Sequence, residues 1–307
     1  MEVVPIRWVQ VRELDPIFDE EACAWATEMY WDVRPALRLL RRHLELGTLE
    51  GFVLRRGDQP LGYAYYVVHG DTACLADAYV LKRGATTGAY DLLTRRCIEE
   101  LQSRRSILRI EVQLVPFHCS LAEPFRARGF HVYRRHYLLL ALPAAGIPPC
   151  ASPQFLFRHW QVSDSERAAT IVYDSYRNSP EAFLSRDYQQ MEGCRRFIRN
   201  VTQSPSCGRF RPDLTELAFR GREDAVGLMM AAEISKGTLM IPQLSIIRTC
   251  QSKGLGKALL SRLLASACGA FDRIALSVTE SNQQAFRLYS SFGFLPRREF
   301  EAYVWSR

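Results

Sequence analysis

No stretch of this chain is apolar for long enough to cross a bilayer, which removes membrane-spanning proteins from the classes to be considered. The opening residues, Met1-Glu2-Val3-Val4-Pro5, have neither the basic nor the apolar region of a secretory signal, so the protein is expected to be soluble and cytoplasmic. The nine cysteines, at 23, 74, 97, 119, 150, 194, 207, 250 and 268, include no Cys-x-x-Cys pair and form no even framework. They read as scattered reduced thiols, with no disulfide scaffold and no metal site. Long basic runs are missing as well. The formal charge of +7 is spread over pairs such as Arg41-Arg42, Arg95-Arg96 and Arg195-Arg196, with no aromatic-basic motif. Such pairs suit solvated helix faces, so no nucleic-acid partner is expected, while the surplus could draw in the phosphates of an anionic cofactor.

At 307 residues the chain can form two ordinary domains. An alternating stretch from Ile6 to Leu14 predicts a strand ended by Asp15-Pro16. Helical patterns follow over Glu20–Tyr30 and Pro35–Leu46. Gly51–Arg55 and Gly62–Val68 flank a polar turn and read as a hairpin, with further strands at Leu75–Leu81, Leu108–Leu114 and Tyr137–Leu142 around a helix at Asp91–Gln102. Pro143, Gly146, Pro148, Pro149 and Pro153 mark a linker. The order then recurs: strand Phe155–Val162, helix Asp164–Tyr176, a helical region between Pro180 and Val201, and strands Thr215–Arg220 and Val226–Ile234. Gly62 matches Gly227, Gly88 matches Gly254, and Gly129-Phe130 matches Gly293-Phe294, all at nearly one offset, which indicates an internal duplication.

The second half holds the most informative stretch. An apolar run from Leu239 to Ile247 leads into Gln251-Ser252-Lys253-Gly254-Leu255-Gly256, and then into a helix with leucines at 259, 260, 263 and 264. A strand, a glycine loop and a helix start aim backbone N–H groups at one point and form a cradle for phosphate. Further on come Asn282, Tyr289 and Gly293-Phe294. Together these residues resemble the GNAT family of N-acetyltransferases, whose Arg/Gln-x-x-Gly-x-Gly/Ala loop binds the pyrophosphate of acetyl-CoA. The resemblance implies an α/β fold of tandem GNAT-like domains, each a mixed central sheet flanked by helices. It divides the chain into a degenerate domain at 1–142, a linker at 143–152 and an acetyl-CoA-binding domain at 153–307, an architecture similar to tandem enzymes such as mycothiol synthase.

The same resemblance assigns roles. Gln251, Ser252, Lys253, Gly254, Leu255, Gly256 and Lys257 would hold the pyrophosphate, and Leu244, Ser245 and Ile246 the pantetheine arm. Asn282 would touch the cofactor, and Tyr289 would be both a cofactor contact and the general acid. Asn282 also stands at a helix start, where Ser281 and Gln284 make a capping-box pattern. Gln243 occupies the strand position where family members often carry a glutamate base, which leaves Glu233 as the catalytic carboxylate of choice and Glu280 as another nearby. The first half departs from the pattern, with Ala85 facing Gln251, Tyr90 facing Gly256, His118 facing Asn282 and Phe125 facing Tyr289. The expected activity is N-acetyl transfer to an amine of a small molecule or peptide, by a monomer or homodimer. A non-catalytic CoA-binding regulator or scaffold is the alternative. Tyr173, Tyr176, Phe183 and Tyr188 are candidates to line the acceptor pocket.

Overall fold

A computed structural model of the chain describes residues 1–143, 152–177 and 179–307. Its elements run β1 (Glu2–Pro5), α1 (Asp15–Met29), α2 (Arg34–Glu45), β2 (Glu50–Arg56), β3 (Gln59–His69), β4 (Thr72–Val80), α3 (Thr87–Ser103), β5 (Arg109–Val112), α4 (Ala122–Arg126) and β6 (His131–Ala141). There follow β7 (Leu156–His159), α5 (Ser165–Tyr176), α6 (Met191–Gln203), β8 (Arg209–Phe210), β9 (Glu216–Arg220), β10 (Asp224–Ser235), β11 (Thr238–Ile246), α7 (Leu255–Ala267), β12 (Arg273–Thr279), α8 (Gln283–Ser291) and β13 (Leu295–Ser306). The strand expected at Ile6–Leu14 is instead two 3₁₀ turns, Ile6–Trp8 and Val11–Leu14. The buried residues there are Ile6, Val9 and Leu14, a spacing that suits a coiled turn better than the two-residue period of a strand. Pro16 sits in the first turn of α1, where its missing N–H costs nothing, so that helix begins earlier than Glu20.

The chain forms two compact units, and neither is a continuous half of the sequence. Unit 1 comprises Met1–Met29, Val33–Arg135 and Glu299–Arg307; unit 2 comprises Tyr30–Asp32 and His136–Arg298. This corrects the division at 142 and 153. In unit 1 the sheet runs β1-β2-β3-β4-β5 and is completed by the end of β13, antiparallel to β5 with Tyr303 opposite Val112 and Trp305 opposite Ile110. In unit 2 the order is β6-β12-β11-β10-β9-β7, with β8 also on β10, so that the His136–Ala141 part of β6 covers one edge. The reason is edge protection: β5 and β12 would each expose unpaired backbone without a strand drawn from elsewhere in the chain. Of the expected linker, Gly146, Pro148, Pro149 and Cys150 lie outside the described residues.

Within each unit the pairings repeat. β2-β3-β4 and β9-β10-β11 are antiparallel, whereas β4-β5 and β11-β12 are parallel, which makes both sheets mixed. β4 and β11 each carry one more residue than their antiparallel partner at the same point. The register moves between Leu75 and Asp77 in unit 1 and between Met240 and Gln243 in unit 2. In unit 2 one sheet face packs on α7 and α8 through Met229, Leu239, Ile241, Leu259, Leu263 and Phe294. The other packs on α5 and α6 through Leu217, Leu228, Met230, Ile171, Val172 and Ile198.

The Tyr30–Asp32 segment belongs to unit 2 by specific bonds. Ser235 Oγ donates to the Tyr30 carbonyl at 2.6 Å, Asp32 N–H donates to Ile234 at 2.9 Å, and the Arg273 guanidinium lies 4.3 Å from the centre of the Tyr30 ring. Residues 153–307 produced alone lack both this segment and the β6 edge. They are expected to be insoluble or loosely packed, and to fold when residues 1–142 are co-produced. A well-dispersed amide spectrum from 153–307 alone would contradict this.

Candidate active site

The site in unit 2 begins where two parallel strands part. β11 pairs with β12 only from Thr238 opposite Arg273 to Ile241 opposite Leu276, although β12 runs on to Thr279 and β11 to Ile246. Pro242, the next residue, has no N–H to continue the ladder. Beyond it, Ile247 N–H donates to Val226 on the β10 side, so the two-residue alternation turns the backbone groups of Ser245 toward β10 and those of Leu244 and Ile246 toward the open side. The Gln251 side chain returns to this edge and donates from Nε2 to the Ile246 carbonyl at 3.0 Å. Among the described residues the Ile246 N–H, past the end of the β11–β12 ladder, is left as a donor at the mouth of the gap.

The loop after β11 is shaped by two left-handed residues, Ser252 (φ 59°) and Gly254 (φ 80°). Gly254 is the N-cap of α7 and supplies no side chain to cap it, so the N–H groups of Leu255, Gly256 and Lys257 point out of the helix start with no N-cap side chain accepting from them. Gly256 suits tight packing. A Cβ there would lie 3.3 Å from both Ile246 Cδ1 and Leu288 Cδ2, so this glycine lets α7 close on β11 and α8. Lys253 and Lys257 are exposed beside the loop.

Unit 1 carries the same frame with the openings filled. The N-cap of α3 is Thr86, whose hydroxyl accepts from Ala89 N–H at 3.1 Å. Tyr90, which matches Gly256, is fully buried, and its hydroxyl accepts the Val80 N–H at 3.2 Å. Val80 ends β4 as Ile246 ends β11. The tyrosine therefore turns under the helix and occupies the strand edge.

The remaining expected residues divide. Asn282 is itself the N-cap of α8 and accepts from Ala285 N–H at 3.0 Å, which replaces the capping box expected from Ser281 and Gln284. Tyr289 is buried on α8, set edge-on to Phe294 at 5.7 Å. Burial raises its phenol well above the ordinary tyrosine value, and the nearby Tyr176 adds to the shift, so the hydroxyl stays protonated. Tyr176 stacks on Tyr188 at 4.7 Å, and Tyr188 meets Phe197 at 5.6 Å. Phe183 is 60% exposed. Ser245 spends its backbone on β10, and its hydroxyl accepts from Gln243 Nε2 at 2.6 Å.

Glu233 is displaced from its expected role. It pairs with Leu239 near the start of β11, about 17 Å of strand away from Leu244, and its carboxylate is bound by Arg209 and Arg211. Glu280 is exposed at the end of β12.

Residues 171–294 match the model of the acetyltransferase (GNAT) family, and residues 14–111 match that of a GNAT acetyltransferase domain; together they span well over half of the chain. The chain belongs to the GNAT family. It carries two GNAT domains in tandem, a fold of acetyl-CoA-dependent acyl transfer. A GCN5-related N-acetyltransferase from Sphaerobacter thermophilus has a TM-score of 0.68 at 19% identity, covering 99% of this chain and 95% of its own. The tandem GNAT protein from the clavulanic acid biosynthesis pathway has a TM-score of 0.56 at 14% identity, covering 99% of this chain and 98% of its own. At such identities the likeness establishes the fold alone. No curated protein matches the chain.

A buried acid cluster in the first GNAT unit escaped the sequence reading. Tyr63 Oη lies 2.6 Å from Glu21 Oε2 and 2.9 Å from Asp77 Oδ2. Glu21 and Asp77 also share a direct side-chain hydrogen bond, which requires a proton on one of the two carboxyls, and the Tyr63 hydroxyl donates into this pair. Burial raises Glu21 well above the usual carboxylate range, with Asp77 adding to it and the hydrogen bonds from Tyr63 and Trp25 opposing. Burial likewise raises Asp77. Asp77 stands where unit 2 has Gln243, and carrying the glycine offset through to these two positions would have exposed the exchange. A carboxyl whose folded value is raised stabilises the fold least at high pH: the unfolded chain ionises first, and stability drains away as pH rises toward the folded value. Relative to the parent, Glu21→Gln should therefore gain urea resistance as pH rises from about 5 to about 8. A difference that stays constant with pH contradicts the shared proton.

Proposed function

We propose that the protein is an acetyl-CoA-dependent N-acetyltransferase whose chemistry is carried by unit 2, with an amine of a small molecule or peptide as acceptor. The observation that carries this reading is the contrast between the two helix starts. At α7 the N-cap supplies no side-chain cap and, among the described residues, the neighbouring Ile246 N–H is open, whereas at α3 the cap is Thr86 and the equivalent N–H is held by Tyr90. Backbone N–H groups from Ser252 to Lys257 would hold the pyrophosphate, with Lys253 and Lys257 adding charge. The open edge at Leu244 and Ile246 would pair with the pantetheine amides and aim an N–H at the thioester oxygen, where negative charge develops.

Tyr289 then acts as the acid. The amine nitrogen bonds to the carbonyl carbon, the C–S bond breaks, and the departing sulfur takes the Tyr289 proton while the nitrogen sheds its own to water. The phenol is protonated throughout the physiological range and so enters the step able to donate. Asn282 holds the start of α8 and so positions Tyr289. The CoA-binding scaffold reading draws on Gln243, which cannot serve as a base, and on the degenerate first half.

Calorimetric titration with acetyl-CoA is expected to give one site in the parent and none in Gly256→Tyr, which copies Tyr90. Two sites would place a working groove in unit 1, and no site in the parent would overturn the reading. Tyr289→Phe should leave acetyl-CoA affinity within about twofold and lower kcat by on the order of a hundredfold. Unchanged turnover would remove Tyr289 from the role of acid.

A further inference from the structure

We infer that Ser152, in the turn that precedes β7, is a ligand of the cofactor pyrophosphate, its hydroxyl donating to a phosphate oxygen held at the start of α7. The residue lies outside the strand, loop and helix from which that site is otherwise built. The inference rests on the acetyl-transfer reading above and adds a binding residue to it.

The turn is fixed by its neighbours. Phe155 N–H donates to the Ser152 carbonyl at 3.0 Å, and the Phe155 side chain is buried in the same core cluster as Cys250, Leu255 and Leu259. Cys250 and Leu255 bracket the glycine loop, so this ring ties the turn to it. Gln154 reaches the loop as well, with Nε2 3.5 Å from the Lys253 carbonyl. Ser152 comes to lie against Gly254, its Oγ 4.0 Å from where a Cβ on that glycine would stand.

The hydroxyl arrives there without a task inside the protein. Ser152 is only 8% exposed, yet among the described residues no hydrogen bond reaches its Oγ. Unit 1 supplies the comparison within the same chain. Gly88, which matches Gly254, has the Thr86 hydroxyl at the same 4.0 Å, and there the oxygen is spent on capping the Ala89 N–H. One hydroxyl closes its helix start, and the other stands beside a start whose N-cap has no side chain to close it.

The partner that suits such a hydroxyl is an anionic oxygen. A buried hydroxyl is seldom left without a hydrogen bond. Negative charge is favoured at this point by the N–H groups of Leu255, Gly256 and Lys257 and by the exposed ammonium groups of Lys253 and Lys257. Ser252, Lys253 and Gly254 are themselves exposed, so a ligand can reach the loop from solvent. A serine there donates one proton to a phosphate oxygen in a charge-assisted bond and adds no charge of its own.

Calorimetric titration of the full chain and of Ser152→Ala with acetyl-CoA tests the assignment, with urea unfolding of both measured without cofactor. Removing a hydroxyl bonded to a charged oxygen should raise Kd by about tenfold or more. The cofactor-free urea midpoint should not move, because Phe155 anchors the turn and Ser152 does not. Titration with S-acetylpantetheine, which lacks the pyrophosphate, should not distinguish the two proteins. Equal acetyl-CoA affinity in parent and variant overturns the inference and leaves the acetyl-CoA reading standing. So does a loss of affinity that comes with a lowered cofactor-free midpoint, or with an equal loss for S-acetylpantetheine. A parent that does not bind acetyl-CoA overturns both.

Discussion

The parting of β11 from β12 after Ile241 is the constraint on which the site depends, because it ends the ladder between them and leaves main-chain donors of β11 beyond it without a β12 partner. Buried N–H groups are rarely left without partners, so such a gap is either filled by the protein or kept for a ligand. The chain contains both solutions. In unit 1 the Tyr90 hydroxyl takes the Val80 N–H and Thr86 closes the helix start. In unit 2 a glycine at 256 leaves the slot open while allowing α7 to reach Ile246 and Leu288, and a glycine at 254 leaves the first turn uncapped. Two side chains thus account for much of the difference between a closed groove and an open one.

The charges on the α5/α6 face follow a matching division. Unit 1 keeps a carboxyl pair that shares a proton, Glu21 on α1 and Asp77 at the strand position that unit 2 gives to Gln243, both bonded by Tyr63. Unit 2 presents aromatic rings and an amide instead, and its carboxylates are largely tied to arginines. An acid retained beside a closed groove, and an open groove without a base, divide between the units features that a single acetyltransferase domain would combine.

Much of this was legible in the sequence. The loop at Gln251–Gly256, the strand before it and the helix after it follow from glycine placement and leucine spacing, and the duplication follows from three glycine anchors. Local pattern could not reveal the exchange of edge strands, because β13 reads as an ordinary strand and nothing in its residues says that its last part pairs with Val112 and Ile110. Glu233 misled for a related reason: adjacency in sequence placed it beside the loop, but the antiparallel register carries it to the far end of β11, into two arginines. The stretch Ile6–Leu14 has a mixed apolar period, and burial of Ile6, Val9 and Leu14 resolved it as turns.

Hydrogen exchange with and without acetyl-CoA tests the central claim most directly, because it reads the backbone donors themselves. The account predicts that added acetyl-CoA slows exchange at Ile246 and across Ser252 to Lys257, and leaves Val80 and the start of α3 unchanged. Protection at Val80 and the first turn of α3, with none at the start of α7, would contradict it.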